Sequence, residues 1–160
     1  MKSKQLNVLL ADDDADDRFF FKRALGDLVL DTQLTTVNDG EQLMDHLSEN
    51  SDHLPNIIFL DINMPRKNGH ECLAEIKHNA KLKDIPVVMF STSNSWDSIN
   101  MLFKSGSDIY IHKPSDYAQL KQVIHHALPL AAEKKFSDSP LKYVLNASST
   151  NRPKHGYIGE

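Results

Sequence analysis

The sequence lacks most of what would commit it to a specialised architecture. It has one cysteine, Cys72, in 160 residues, so no internal disulfide can form and a disulfide-stapled secreted scaffold is excluded. No apolar run approaches the roughly 20 residues that a membrane-spanning helix needs. The opening stretch MKSKQLNVLL has neither the apolar core nor the small-residue cleavage site of a signal peptide, and the expectation is a cytoplasmic protein with no membrane partner. Lys and Arg together number 18 against 22 Asp and Glu, a net charge of −4. A nucleic-acid binder would normally show the opposite balance. The six glycines nowhere form a G-x-G-x-x-G or other phosphate-cradling loop, which argues against a nucleotide-binding module of Rossmann or flavodoxin type. Eight histidines are present, but His70 and Cys72 in HEC do not make a zinc-enzyme motif, and the pair His125–His126 has no companion ligand at usable spacing.

What remains is an ordinary globular composition, 40% hydrophobic and 25% charged, in one domain's length of chain. Short aliphatic runs alternate with longer amphipathic ones. The runs 6–11, 33–37, 56–61, 85–90 and 108–112 read as strands, and 15–28, 39–49, 69–78, 95–106 and 115–128 as helices. Within the first helix, Phe20, Phe21, Ala24, Leu25 and Leu28 keep helical spacing, and Phe19, Phe20 and Phe21 are expected in or near the core. Gly106 is placed to close the fourth helix. Continuous apolar strands alternating with helices predict a doubly wound α/β domain over residues 4–130, with a parallel five-stranded sheet covered on both faces. The tail, 131–160, is rich in Ser, Asn, Pro, Lys and Gly and reads as linker-like or partner-docking. Its LKYVL segment could form a docking turn or a strand. The NAS triplet at 146–148 is taken as a chance glycosylation sequon.

Doubly wound sheets bind ligands at the carboxyl ends of their strands, so the residues there are the ones to inspect. The first strand runs into VLLADDDADD, with five aspartates in six positions. At about 4 Å and an effective dielectric of ~20, one such pair costs roughly 4 kcal/mol. Either the run is solvated decoration or a cation belongs there. The third strand ends at Asp61, the fourth at Ser91 and the fifth at Lys113. On a parallel sheet these ends converge with Asp12 and Asp13 on one edge. Clustered hard oxygens suit Mg²⁺. A carboxylate beside it can attack a phosphoryl group, and the cation and a lysine can neutralise the phosphoryl oxygens. Asp16 and Asp17 read as solvated residues of the first helical turn, where negative charge is favourable.

The motifs LLADDD, LDINMPRKNG, VVMFSTS and YIHKP, in this order and spacing, resemble the receiver domains of two-component response regulators, and are most similar to single-domain, phytochrome-associated ones. The resemblance implies a (βα)5 flavodoxin-like fold with strand order 2-1-3-4-5. It implies Asp61 as phosphoacceptor, with Mg²⁺ held by Asp12, Asp13, Asp61 and the backbone carbonyl of Asn63. Ser91 and Tyr110 would be the switch residues, the ring moving inward on phosphorylation, and Lys113 would pair with the phosphoryl group. Asp14 would flank the cation. Thr92, where a small residue is frequent, would restrict access to the phosphoryl group. Pro114 would follow a cis peptide bond. The implied partners are a sensor histidine kinase or phosphotransfer protein and a downstream protein target. A homodimer through the face of helix 4, strand 5 and helix 5 is a further expectation. Such a protein is a switch and not an enzyme. Competing readings are a degenerate receiver that binds without being phosphorylated, and a Mg²⁺-dependent aspartyl phosphohydrolase. The latter wants D-x-D after its first strand, whereas the acceptor motif here is Asp61-Ile62-Asn63 after the third.

Overall fold

The structure, a computed structural model, describes residues 5–92, 95–133 and 143–145, apart from the side chains of Trp96, 131–133 and 143–145. The expectations for the rest of the tail, for the sequon at 146–148 and for the Trp96 side chain lie outside the described residues. The elements are β1 (Leu6–Ala11), α1 (Ala15–Gly26), β2 (Thr32–Val37), α2 (Gly40–Glu49), β3 (Ile57–Asp61), α3 (Gly69–Lys77), β4 (Val87–Ser91), α4 (Trp96–Lys104), β5 (Ile109–His112), α5 (Tyr117–Glu133) and β6 (Tyr143–Leu145). All neighbouring strands pair in parallel, in the order β2-β1-β3-β4-β5-β6.

The sheet therefore contains the expected five strands in the expected order, and one more. Within the LKYVL segment, Tyr143, Val144 and Leu145 form a strand in register with Ile109, Tyr110 and Ile111. It lies along the side of β5 that a five-stranded sheet would leave open.

β3 and β4 are buried along their whole lengths, which is why they read as unbroken apolar runs. Alternation of side chains along each strand divides the core in two. Leu9, Ile58, Leu60, Val87 and Met89 face α2, α3 and α4, whose buried residues include Leu43, Leu47, Leu73, Ile76, Leu102 and Phe103. Val8, Leu10, Phe59, Val88, Phe90 and Ile111 face α1 and α5, through Phe21, Leu25, Val123, Ile124 and Leu128. Phe21, Phe59 and Phe90 meet edge to face, with centroids 4.8 to 6.4 Å apart. β2 is half exposed, as its threonine content and edge position require.

Two expectations are corrected here. Phe19 and Phe20 are not core residues: they are 59% and 42% exposed, while Phe21 alone of the three is buried. Three consecutive helical residues cannot share one face, since each advances about 100° around the axis. The fifth helix also does not stop before Pro129 but runs through it to Glu133. Leu128 and Leu130 both pack on the α1–α5 cluster, and that burial holds the turn that the proline weakens.

Candidate functional site

The parallel sheet delivers Asp12, Asp61, Ser91 and Lys113 to a single edge. Asp12 and Lys113 directly follow β1 and β5, and Asp61 and Ser91 end β3 and β4. The ladder continues into the site: Asp12 N–H donates to the Val37 carbonyl at 3.1 Å, and Lys113 N–H to the Ser91 carbonyl at 2.7 Å. Gly69 backs the acceptor so closely that a Cβ there would stand 2.3 Å from the Asp61 carbonyl oxygen. Only glycine fits that position.

Asp12 and Asp61 are 1% and 6% exposed, Asp13 lies open to solvent, and Ser91 is buried. One carboxylate oxygen from each of Asp12, Asp13 and Asp61 lies within 4.8 Å of the others. Three oxygen donors on so small a triangle are what a hard divalent cation takes, and the residues present fit one. Lys113, its side chain 13% exposed, leans into this group. Its Nζ donates to Asp12 Oδ2 at 2.9 Å and to Asp17 Oδ2 at 3.0 Å, and stands 3.6 Å from Asp61 Oδ1. The ammonium also lies 5.4 Å from the centroid of the Phe90 ring.

The charges perturb one another. Burial pushes the Asp61 carboxyl up to about 6, with the neighbouring Asp12 and Asp13 carboxylates adding to the effect and Lys113 and the Asn63 N–H opposing it. Burial raises Asp12 as well, against the Asp14 N–H and Lys113. Burial pulls Lys113 down, but Asp12 and Asp61 outweigh it and hold the ammonium above its ordinary range. With one cation to three clustered carboxylates, the site is short of positive charge.

The remaining expected residues fall as follows. Asp14 caps α1: its side chain accepts from the Asp17 N–H at 3.0 Å, and its own N–H donates to Asp12 Oδ1 at 3.0 Å. Asn63 lies exposed two positions past Asp61. Thr92 is exposed beside Ser91, and its carbonyl is hydrogen-bonded to His112 Nε2 at 3.1 Å. Tyr110 is 1% exposed, in the cluster that contains Met89, Leu102 and Phe103. The Lys113–Pro114 peptide bond is trans, since the described residues include no cis bond. This corrects the cis expectation. The trans form is the favoured one by about 0.5–1 kcal/mol even before proline, and Lys113 reaches Asp12 and Asp17 from it.

One participant escaped the sequence reading. Asp17, which the sequence presents as a solvated first-turn residue, is bonded to Lys113. A cavity of about 390 Å³ opens beside the site, with Asp17, Phe20, Phe90, Lys113 and Tyr117 in its wall. Asp12, Asp13 and Asp61 are not part of that wall. These three carboxylates therefore sit outside that cavity.

A parallel α/β sheet that gathers an acid triad, a hydroxyl and a lysine at its carboxyl edge defines a class of phosphoryl-handling proteins. The model of the response regulator receiver domain matches residues 8–125, and the chain belongs to that family, the receivers of two-component phosphorelays. It is similar to the response regulator Rcp1 of Synechocystis sp., at 32% identity over 73% of this chain and 82% of that one. It is also similar to the two-component response regulator ARR5 of Arabidopsis thaliana, at 30% identity over 91% of this chain and 82% of that one. Among solved structures, the phosphorylated cyanobacterial phytochrome response regulator RcpA superposes with a TM-score of 0.75 at 32% identity, covering 82% of this chain and 96% of that one. The Mn²⁺-bound form of Rcp1 gives 0.68, also at 32% identity, over 74% and 88%. No helix of the described residues is long and apolar enough to cross a membrane.

Proposed function

We propose that this chain is a cytoplasmic response regulator whose Asp61 accepts a phosphoryl group in a Mg²⁺-dependent reaction. The observation that carries the reading is the position of Asp61, 3.6 Å from Lys113 and on one small triangle with Asp12 and Asp13. Its support from relatives is that RcpA has been captured phosphorylated and Rcp1 with Mn²⁺.

In this reading an Asp61 carboxylate oxygen attacks the phosphorus of a phosphohistidine on a histidine kinase or phosphotransfer protein. A P–O bond forms, the P–N bond breaks, and the electron pair leaves with the imidazole. Asp12, Asp13, Asp61 and the Asn63 carbonyl would hold Mg²⁺, which supplies charge neutralisation for the transferring oxygens. Lys113 pairs with one phosphoryl oxygen and the Ser91 hydroxyl with another. The response would run through Ser91, Lys113 and Tyr110. The output surface is the face of α4, β5 and α5, to which β6 now belongs. It would meet a downstream protein or a second copy. The chain is a substrate that assists its own modification, and it is not an enzyme with turnover.

Incubation with acetyl phosphate and Mg²⁺, followed by intact mass, tests this. A single phosphoryl adduct is expected, absent in Asp61→Asn and suppressed by chelation of the metal. No adduct in the wild type, or one that persists in Asp61→Asn, would sink the reading.

A further inference from the structure

Lys113 has two firm partners in this structure, and they are not equivalent. Asp12 belongs to the carboxylate triangle. Asp17 does not: among the described residues, only Asp12, Asp13 and Asp61 bring oxygens within 4.8 Å of one another. Asp17 nevertheless holds Lys113 Nζ at 3.0 Å, and its own backbone is fixed from behind by the Asp14 cap. A cation entering the triangle engages Asp12 and Asp61 and repels the lysine. The acid left to hold Lys113 is then Asp17.

We propose that Asp17 is a positioning residue for Lys113. It anchors the ammonium from outside the cation triangle, so that cation and lysine occupy the site together. The proposal rests on the reading that Asp61 is the acceptor and that the triangle holds a divalent cation. The alternative is that Asp17 is one more surface carboxylate, worth little because its side chain is 45% exposed. What weighs against that alternative is the burial of Lys113 and the short contact, which make this a charge-assisted bond to a group with few other places to go.

The position offers its own control. Asp16 precedes it in the same helical turn, is exposed, and makes no bond to Lys113. Asp16→Asn thus removes the same charge without the contact. Mn²⁺ binding, followed by the loss of its free-ion electron paramagnetic resonance signal, is the primary readout, and the rate of adduct formation from acetyl phosphate is the second. Asp17→Asn is expected to weaken Mn²⁺ binding about fivefold and to slow adduct formation comparably. Asp16→Asn should stay within about twofold of wild type, and Asp17→Glu should restore most of the loss. In a Lys113→Met background the difference between Asp17→Asn and Asp16→Asn should vanish, because the coupling is between those two side chains. If Asp17→Asn and Asp16→Asn behave alike in the wild-type background, or if their difference survives Lys113→Met, the proposal is overturned. A wild-type protein that takes no phosphoryl group would remove the acceptor reading while leaving the Mn²⁺ cycle to decide this one.

Discussion

Lys77 and Lys113 are buried to similar depth, with side chains 16% and 13% exposed, at opposite ends of the same parallel strands. Lys77 stands at the amino end. Its Nζ donates to the carbonyls of Lys83 at 3.1 Å and Ile85 at 2.9 Å, and pairs with Asp108 at 3.6 Å. Gly106, at φ +109, lies against its aliphatic stem, and the Asp108 carboxylate also accepts from the Val87 N–H. Among these contacts one cation meets one carboxylate and two dipoles. At the carboxyl end Lys113 meets Asp12, Asp17 and Asp61, and the charge does not close. The first arrangement fixes loops. The second holds carboxyl groups above their ordinary range and leaves a deficit for a cation and a phosphoryl group to use. A half-buried lysine is therefore no signature of a site; an unbalanced one is.

The imbalance is open to measurement, most sharply through pH. Asp61 has its carboxyl raised to about 6 from 3.8. Below about pH 4 it is protonated in both folded and unfolded chains. Between 4 and 6 only the unfolded chain ionises freely, so the folded state loses ground as pH rises, by about 3 kcal/mol in all. In metal-free protein, the excess stability of Asp61→Asn over wild type should grow across that window and level off above it. Thermal melts at a series of pH values would show this, and saturating Mg²⁺ should abolish the difference. A constant difference across pH 4–6 would mean that the carboxyl edge is as balanced as the amino edge.

Next in size is the paired lysine replacement. Lys113→Met should lower the rate of adduct formation from acetyl phosphate by about a hundredfold, the scale of removing one electrostatic stabiliser. Lys77→Met should leave that rate within about twofold of wild type, since it lies at the far end. Its effect falls on stability, a loss of about 2 kcal/mol in chemical denaturation, because Asp108 and two carbonyls lose their donor. If Lys77→Met slowed the reaction as Lys113→Met does, the division of labour would be wrong. The smallest effect expected is from Gly106→Ala, about 1–2 kcal/mol of stability, from an L-residue forced to positive φ against the Lys77 stem. A melt unchanged by this substitution would show that the Lys77 corner is looser than it looks.

Much of this was legible in the sequence for a topological reason. Parallel strands present their carboxyl ends on one edge whatever the details of packing, so Asp12, Asp61, Ser91 and Lys113 could be gathered on paper from strand endings alone. The buried strands were equally plain, since β3 and β4 carry apolar residues on both faces. What could not be read depends on which neighbour a side chain finds after folding. Asp17 looks like any acidic residue in a first helical turn until Lys113 arrives from 96 positions further on. Phe20 fits the apolar helix pattern, but it faces the groove beside Tyr117, with ring centroids 6.3 Å apart. The continuation of α5 past Pro129 is decided by the hydrophobic face it covers, against local preference. Ser107 is fully buried and donates its hydroxyl to the Ile109 carbonyl at 3.0 Å, a self-contained arrangement that sequence spacing does not display.

The pairing of β6 on the far side of β5 has a competitive consequence. With Tyr143–Leu145 hydrogen-bonded along it, β5 is flanked on both sides by strands of its own chain. A peptide or second copy that sought to add itself to β5 would have to displace a segment tethered to the same molecule, whose local concentration is of order millimolar for a short connection. The flank of β5 thus carries an affinity threshold. Weak strand donors are filtered out, and a binding event strong enough to pass that threshold must also release the C-terminal segment.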